Sequence, residues 1–413
     1  MKILSLITKY PLRSWKRFSG LTLSQIFTVS IGLINSIIWA RYIPKETYGQ
    51  YQLIISFISI SNAFTLTGLN QSISISAAKN LDGNFLDIIK LKIISSFPAA
   101  CVLIGISFYY SSKNSEIANA ILFMALLFPL FQLEGIRQPW FNGKSWFRLL
   151  ILSNIIFSTF TLITLICPIL LNKITLFYLL LCRKGGAVLI SLVFLALIIF
   201  WRKNYSKDVN IVKFGIHMSV ATLFTFLVNT DKFFIHEYLS AADVAVYSIA
   251  LIFPGQLKSL FLIFNQLFLP KIRAASDLKE AWLYIKPKLL PLNALFILLG
   301  ISGFYLLPIL IPLLFSEKYI PSIEYTKWLW LNYCLTNAAA FLSSILVAQQ
   351  EINYVYFYNV SSPLTTFIFY FFLISKYGVS GVIISKILVQ WIFFFIVFIY
   401  FFTVLKRLDM KKL

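Results

Sequence analysis

The sequence predicts an all-α integral membrane protein of about 12 transmembrane helices, built as two six-helix lobes related by a pseudo-two-fold axis along the membrane normal. Three observations carry this. Of the 413 residues, 59% are hydrophobic and only 12% charged, where soluble domains carry roughly 25% charged residues. Apolar runs of about 20 residues recur along the whole chain, the length a helix needs to cross a ~30 Å hydrocarbon layer. A faint internal repeat completes the picture. A shift of 196 positions places Tyr42 on Tyr238, Tyr51 on Tyr247 and Ala78 on Ala274, with Ile43 on Leu239 and Leu53 on Ile249 as conservative matches. The shift is nearly half the chain, as duplication of a lobe requires.

Taken in order, the first 17 residues carry Lys2, Lys9, Arg13, Lys16 and Arg17. With Pro11 among them and no small-residue cleavage site, they read as an amphipathic tail rather than a cleaved signal. Spans one to six are expected at 21–40, 51–75, 93–110, 118–141, 149–171 and 174–200. The basic linker WRKNYSKDVNIVK at 201–213 follows, dividing a first lobe of residues 1–206 from a second of 207–413. Spans seven to twelve are expected at 214–234, 244–269, 290–315, 328–348, 355–374 and 379–404. Six spans per half is an even number, so both halves enter the membrane in the same direction, which is what puts the symmetry axis along the normal. A fainter echo pairs Asn154 with Asn359 near the starts of spans five and eleven.

Net charge is +21, and its placement decides what it means. No polybasic domain with interleaved aromatics is present, so nucleic acid is not the expected partner. Segments on the side of the termini hold 23 Lys and Arg and the opposite loops 8. Short basic loops resist translocation, so both termini are expected on the cytoplasmic side. The four cysteines lie inside apolar runs and are expected to be free, buried thiols.

Charges within spans are the informative residues, since each opposes insertion by about 2.5–3.5 kcal/mol at a helix centre. Arg183 and Lys184, near mid-membrane in span six, either face a cavity or snorkel outward. Glu134 and Arg137, three apart in span four, share a helical face and can neutralise each other; if the pair opens, Arg137 becomes an anion contact and Glu134 a proton carrier. Lys258 follows Pro254 and Gly255 and has no carboxylate within one turn, which makes it a ligand candidate beside a kink. Asp231 and Lys232 form either an interfacial pair or a cavity rim, with Asp231 a coupling candidate. Lys386 reads as a snorkelling side chain, and His217 as a packing residue or a proton sensor. Span two is dense in polar groups, from Gln52 through Asn62 and Asn70 to Ser76; part of these glue helices, and one face is expected to meet water.

Enzyme signatures are missing: there is no phosphate-binding glycine loop, no metal-ligand spacing, no nucleophile elbow, and only 2 histidines. The expected protein is not an enzyme and needs no metal or cofactor.

The runs ARYIPKETYGQYQLIISF, GLNQSISISAAK, NTDKFFIHEYLSAADVAVYSIALIFP and FSEKYIPSIEYTKWLWL resemble the polysaccharide-export branch of the MOP superfamily, the Wzx-type O-antigen and repeat-unit flippases. Tyr48, Gly49 and Tyr51 match the usual entry to span two, while Ala245 stands where the second copy often has Gly. The resemblance implies two six-helix lobes around a cation-lined cavity. It implies translocation of an undecaprenyl-pyrophosphate-linked oligosaccharide from the inner to the outer leaflet of the bacterial cytoplasmic membrane, by alternating access, for O-antigen, capsule or exopolysaccharide assembly. The partners implied are that lipid-linked oligosaccharide, membrane lipids and other polysaccharide-assembly proteins, with H+ or Na+ as coupling ion. Five intramembrane cations, Arg137, Arg183, Lys184, Lys258 and Lys386, against one carboxylate, Glu134, suit a concentrated anion such as pyrophosphate. The alternatives are a membrane-embedded polymerase or glycosyltransferase of the same pathway, or another MOP exporter handling lipid II, drugs or cations. Short outer loops argue against the first, and the chain's end at Leu413 after twelve spans against the lipid II exporters, which have two more.

Overall fold

The computed structural model describes residues 12–275, 277–349 and 351–410. Lys2 and Lys9 of the basic tail, and the side chains of Arg13, Lys16 and Arg17, lie outside what is described.

Every expected apolar run falls mainly on helix, with breaks inside several of them. Span one is α1 (Leu12–Tyr42). Span two is broken into α2 (Lys45–Asn62) and α3 (Leu69–Ala78). Span three is α4 (Asn84–Ser111), and span four is again broken, into α5 (Ser115–Phe131) and α6 (Arg137–Gly143). Span five is α7 (Phe147–Leu170). Span six joins α8 (Leu176–Leu180) to α9 (Gly186–Trp201) through a single π-helical turn, Leu181–Gly185. Span seven runs from α10 (Val209–Ala221) through a 3-10 stretch, Leu223–Thr230, to α11 (Asp231–Tyr238). Span eight is α12 (Ala241–Ala250) and α13 (Ile252–Ala274), span nine α14 (Leu278–Phe315). Span ten is α15 (Ser322–Leu335) and α16 (Asn337–Ala348), bent by 49°. Spans eleven and twelve share one run, α17 (Ile352–Met410), broken at Gly378. Among the described residues 8 helices are long and apolar enough to cross a membrane singly, or 9 with the bent pair; α17 holds two spans, and the broken spans two and four complete the twelve.

Local chemistry explains the breaks. Pro254 has no N–H to give to the Ala250 carbonyl, and span eight breaks at Leu251. Gly378 adopts φ 58°, ψ −137°, a conformation open to glycine and strained for other residues. Span nine begins twelve residues before the apolar run. Asp277 caps it by accepting from the Glu280 amide 2.8 Å away, the start of a capping box.

The chain divides into two compact units: residues up to Ile38 with Ile58–Leu223, and Trp39–Phe57 with Phe224–Leu413. The basic segment 201–213 lies inside the first unit, where a polar knot holds it. The Asp82 carboxylate accepts from the Lys203 amide at 2.9 Å and from Lys144 Nζ at 2.5 Å. Asn84 and Asp208 exchange bonds of 3.0 Å in both directions. The first unit's core packs Leu69, Phe85, Trp140, Phe141 and Phe194. There α3 and α10 cross closely: a Cβ on Gly68 would lie 2.4 Å from the Gly215 carbonyl oxygen, the small-residue contact by which membrane helices approach.

In the second unit, segment 39–57 is bound by backbone capping. The Arg41 guanidinium donates to the Leu314 carbonyl at 2.9 Å and to that of Leu313, at the carbonyl end of α14. Gly49 sits against α12 so closely that a Cβ would come within 1.7 Å of the Ala241 oxygen. The core of this unit is split. One cluster holds Phe234, Val244, Tyr247, Leu329, Tyr370 and Val382, and another Ile272, Leu278, Ile345, Tyr354, Val397 and Phe401.

Candidate functional site

A cavity of about 570 Å³ lies between these two clusters of the second unit, with Leu257 and Phe296 of a third, smaller one in its wall. The sequence places it there. On span eleven its walls are Tyr358, Ser362 and Thr366, between Tyr354 of one cluster and Tyr370 of the other. On span twelve they are Lys386, Gln390 and Phe393, between Ile383 and Val397, and on span ten Tyr333, Thr336 and Asn337, at the bend. Non-helical backbone at membrane depth is tolerated where it borders such a cavity. Spans seven, eight and nine contribute Val228, Lys258 and Phe296, so each of spans seven to twelve reaches it.

Among the described residues the cavity wall carries two ammonium groups, Lys258 and Lys386, and no carboxylate. They are held differently. Lys386 Nζ lies 3.1 Å from Asp231 Oδ2; the same oxygen accepts from the Tyr247 hydroxyl at 2.5 Å, and Asp231 is 6% exposed. Lys258 makes no ion pair among the described residues. Its ammonium stands 4.3 Å from the centre of the Tyr333 ring, a cation–π contact. Polar groups beside them form a short chain, with Asn332 donating to Gln390 at 2.8 Å and Gln390 to Thr336. The Asn337 amide nitrogen, buried in the wall, has no acceptor among the described residues.

The remaining predicted residues belong to the first unit and gather at its helix breaks. Glu134 falls in the gap between α5 and α6, so it and Arg137 do not share a regular helical face, and the expected Glu134–Arg137 pair is replaced. Glu134 instead lies 3.7 Å from Lys184, on the π-helical turn of span six. Arg137, 6% exposed, donates to Ser153 Oγ at 2.9 Å and Asn154 Oδ1 at 2.8 Å and lies over Phe157 at 4.6 Å. Arg183 donates to the Thr161 carbonyl of span five.

Three further expectations are corrected. Asp231 pairs with neither solvent nor the Lys232 ammonium, which goes to Gln52 Oε1 at 2.7 Å. Lys386 does not snorkel: its ammonium turns inward to that carboxylate. Part of the polar groups of span two tie helices together, as expected: Ser56 bonds Asn229, Asn62 bonds Gln132, Asn70 bonds Lys92 and Ser72 bonds Ile211, while Gln71 is exposed. The cysteines are free, but only Cys334 is buried; Cys101 and Cys167 are exposed and Cys182 half-buried, because an apolar helix presents faces to lipid as well as to protein. His217 is exposed. Lys92, one residue before the apolar run of span three and not singled out by its sequence context, is a further buried cation: 3% exposed, with its ammonium 2.7 Å from Asn70 Oδ1.

Residues 14–270 match the family described as polysaccharide biosynthesis protein. The chain belongs to this family. No curated protein matches its sequence. Solved structures match its fold. An inward-facing multidrug resistance MATE family transporter of the MOP superfamily superposes with a TM-score of 0.69 at 13% identity, over 93% of this chain and 96% of that one. The lipid II flippase MurJ, in an inward closed conformation, gives 0.63 at 15% identity over 93% and 87%. A MOP superfamily transporter from Pyrococcus furiosus, described by the reverse polarity of its binding pocket, gives 0.64 at 13% over 95% and 96%. This polysaccharide biosynthesis protein is therefore a multi-pass membrane protein with the fold of MOP transporters.

Proposed function

We propose that the protein is a flippase that carries an undecaprenyl-pyrophosphate-linked oligosaccharide repeat unit across the bacterial cytoplasmic membrane by alternating access, for O-antigen or another surface glycan, without catalysing a covalent step. The observation that carries this reading is the second unit's cavity, whose wall holds, among the described residues, two ammonium groups and no carboxylate. In a low-dielectric surrounding such a wall favours an anion far more strongly than water does, and a pyrophosphate head supplies one. Lys258 is the principal anion contact, because it alone of the two has no carboxylate partner among the described residues. Arg183, Lys184 and Arg137 supply further positive charge in the first unit, and Glu134 and Asp231 are the coupling candidates for H+ or Na+. The family match and the lipid II flippase among the structural neighbours support a lipid-linked sugar as cargo. Both termini face the cytoplasm on this reading.

The test is made in cells. A strain lacking the chain should accumulate radiolabelled lipid-linked oligosaccharide on the inner leaflet of its membrane, whereas loss of a polymerase leaves unpolymerised units on the outer leaflet. Lys258→Ala and Arg183→Ala should each abolish surface glycan while the protein remains in the membrane. Normal surface glycan in both variants would overturn the cavity assignment.

A further inference from the structure

The cavity of the second unit holds more than cations, and its other groups identify the part of the cargo that enters it. Its volume of about 570 Å³ lies inside the ~300–1,000 Å³ range of small-molecule sites, enough for a compact polar group and far short of a polyprenyl chain. Its wall combines aromatic faces, Tyr333 and Tyr358, with amide and hydroxyl groups, Asn337 and Ser362 among them. That mixture suits a sugar ring, whose C–H face packs on aromatic carbon and whose hydroxyls and amides need hydrogen-bonding partners. The polar groups are not all consumed by the protein. Asn337 belongs to the wall, and its buried amide nitrogen finds no acceptor among the described residues; a buried donor without a partner is unfavourable, and a turn of the side chain toward the cavity gives it one in a bound cargo. The charge is also incomplete. Lys386 is paired with Asp231 at 3.1 Å, whereas Lys258 is held by Tyr333, through its side chain and with the ring centre 4.3 Å away, so among the described residues the Lys258 charge has no carboxylate opposite it.

We propose that this cavity is a saccharide subsite, taking one sugar residue that bears an oxyanion. Lys258 meets the oxyanion, Asn337 donates to a hydroxyl or carbonyl oxygen of the ring substituents, and Tyr333 and Tyr358 bracket the ring. The site lies within the second unit and reads the sugar together with the oxyanion it carries, so that cargo is selected by its sugar as well as by its charge. The inference rests on the flippase reading given above. The oxyanion has two possible sources with the same local chemistry: the phosphate that joins the first sugar to its lipid, or the carboxylate of an acidic sugar in the repeat unit.

The full-length protein in lipid nanodiscs distinguishes these by titration with four probes: glucose 1-phosphate, methyl glucuronide, methyl glucoside and inorganic phosphate. At least one anionic sugar should bind more tightly than both the neutral glycoside and inorganic phosphate, and the tighter of the two names the source. Lys258→Met and Asn337→Leu should each weaken that binding, Lys258→Met by about tenfold or more as expected for a charged hydrogen bond, while Lys327→Met leaves it unchanged. Inorganic phosphate binding as tightly as either anionic sugar, unchanged affinity in both cavity variants, or no binding by either anionic sugar would each overturn the proposal. Failure here is separate from failure of the functional reading: cells lacking the chain would still retain their glycan precursor on the inner leaflet.

Discussion

The Asp231–Lys386 pair shows how a single buried charge is made tolerable. A carboxylate 6% exposed is strongly disfavoured unless it is paired and hydrogen-bonded, and Asp231 has both an ammonium at 3.1 Å and a phenol at 2.5 Å. Removing one partner strands the other, so Asp231→Asn or Lys386→Met should each lower unfolding stability by roughly 3–5 kcal/mol. The double variant should lose less than the sum of the two, as a cycle of unfolding measurements in detergent would read. Part of this was legible. Val379, Val382, Ile383, Val389, Phe393 and Val397 are buried at helical spacing, and Lys386 sits in the middle of their stripe, a position at odds with snorkelling. Lys92 likewise follows Phe85, Ile88 and Ile89 on the buried face of α4. Span-by-span hydropathy averages over faces and so hides both residues. Their partners were not legible, because nothing in the spacing of span twelve names a carboxylate on span seven.

At the scale of the element, apolar runs identify where helices are but not where they bend. The breaks in spans two, four and six coincide with Asn62, Glu134 and Lys184, so the polar residues noted in the sequence mark departures from regular helix that hydropathy does not register. That is why a three-residue spacing failed to make Glu134 and Arg137 partners. Two glycines are predicted to be irreplaceable in element terms. Gly378→Ala forces a side chain into its left-handed conformation, and stability should fall by on the order of 1–3 kcal/mol, read as a lower melting temperature of the purified protein. Gly49→Val meets the Ala241 oxygen and should lower it too, whereas Gly105→Ala, where a Cβ meets nothing within 4 Å, should leave it unchanged. The early start of span nine was readable from Asp277 and Glu280 as a cap; Pro287, Pro291 and the flanking lysines obscured it.

For the whole molecule, composition and the recurring apolar runs are enough to give a many-span membrane protein, and the structure adds which segments pack into which compact unit. Hydropathy marks 201–213 as a loop; it does not reveal that Asn84, Asp82 and Asp208 tie that loop into the first unit. The charge bias of 23 against 8 makes an orientation prediction. A periplasmic-reporting phosphatase should be active when fused after Lys113 and inactive when fused after Leu413, and the reverse pattern would invert the membrane topology.

The ion pair across the second unit also sets an order of events at the ribosome. Span seven, with Asp231, enters the bilayer while Lys386 is still unmade, about 150 residues behind it, or roughly 10–30 s at the usual pace of synthesis. Through that interval the carboxylate has only its neighbours in spans seven and eight, Tyr247 among them, to shield it. Quality control thus has a window in which this helix is the weak member of a half-built bundle, and a ribosome that stalls before span twelve leaves a product whose defect lies in span seven, far upstream of the missing sequence.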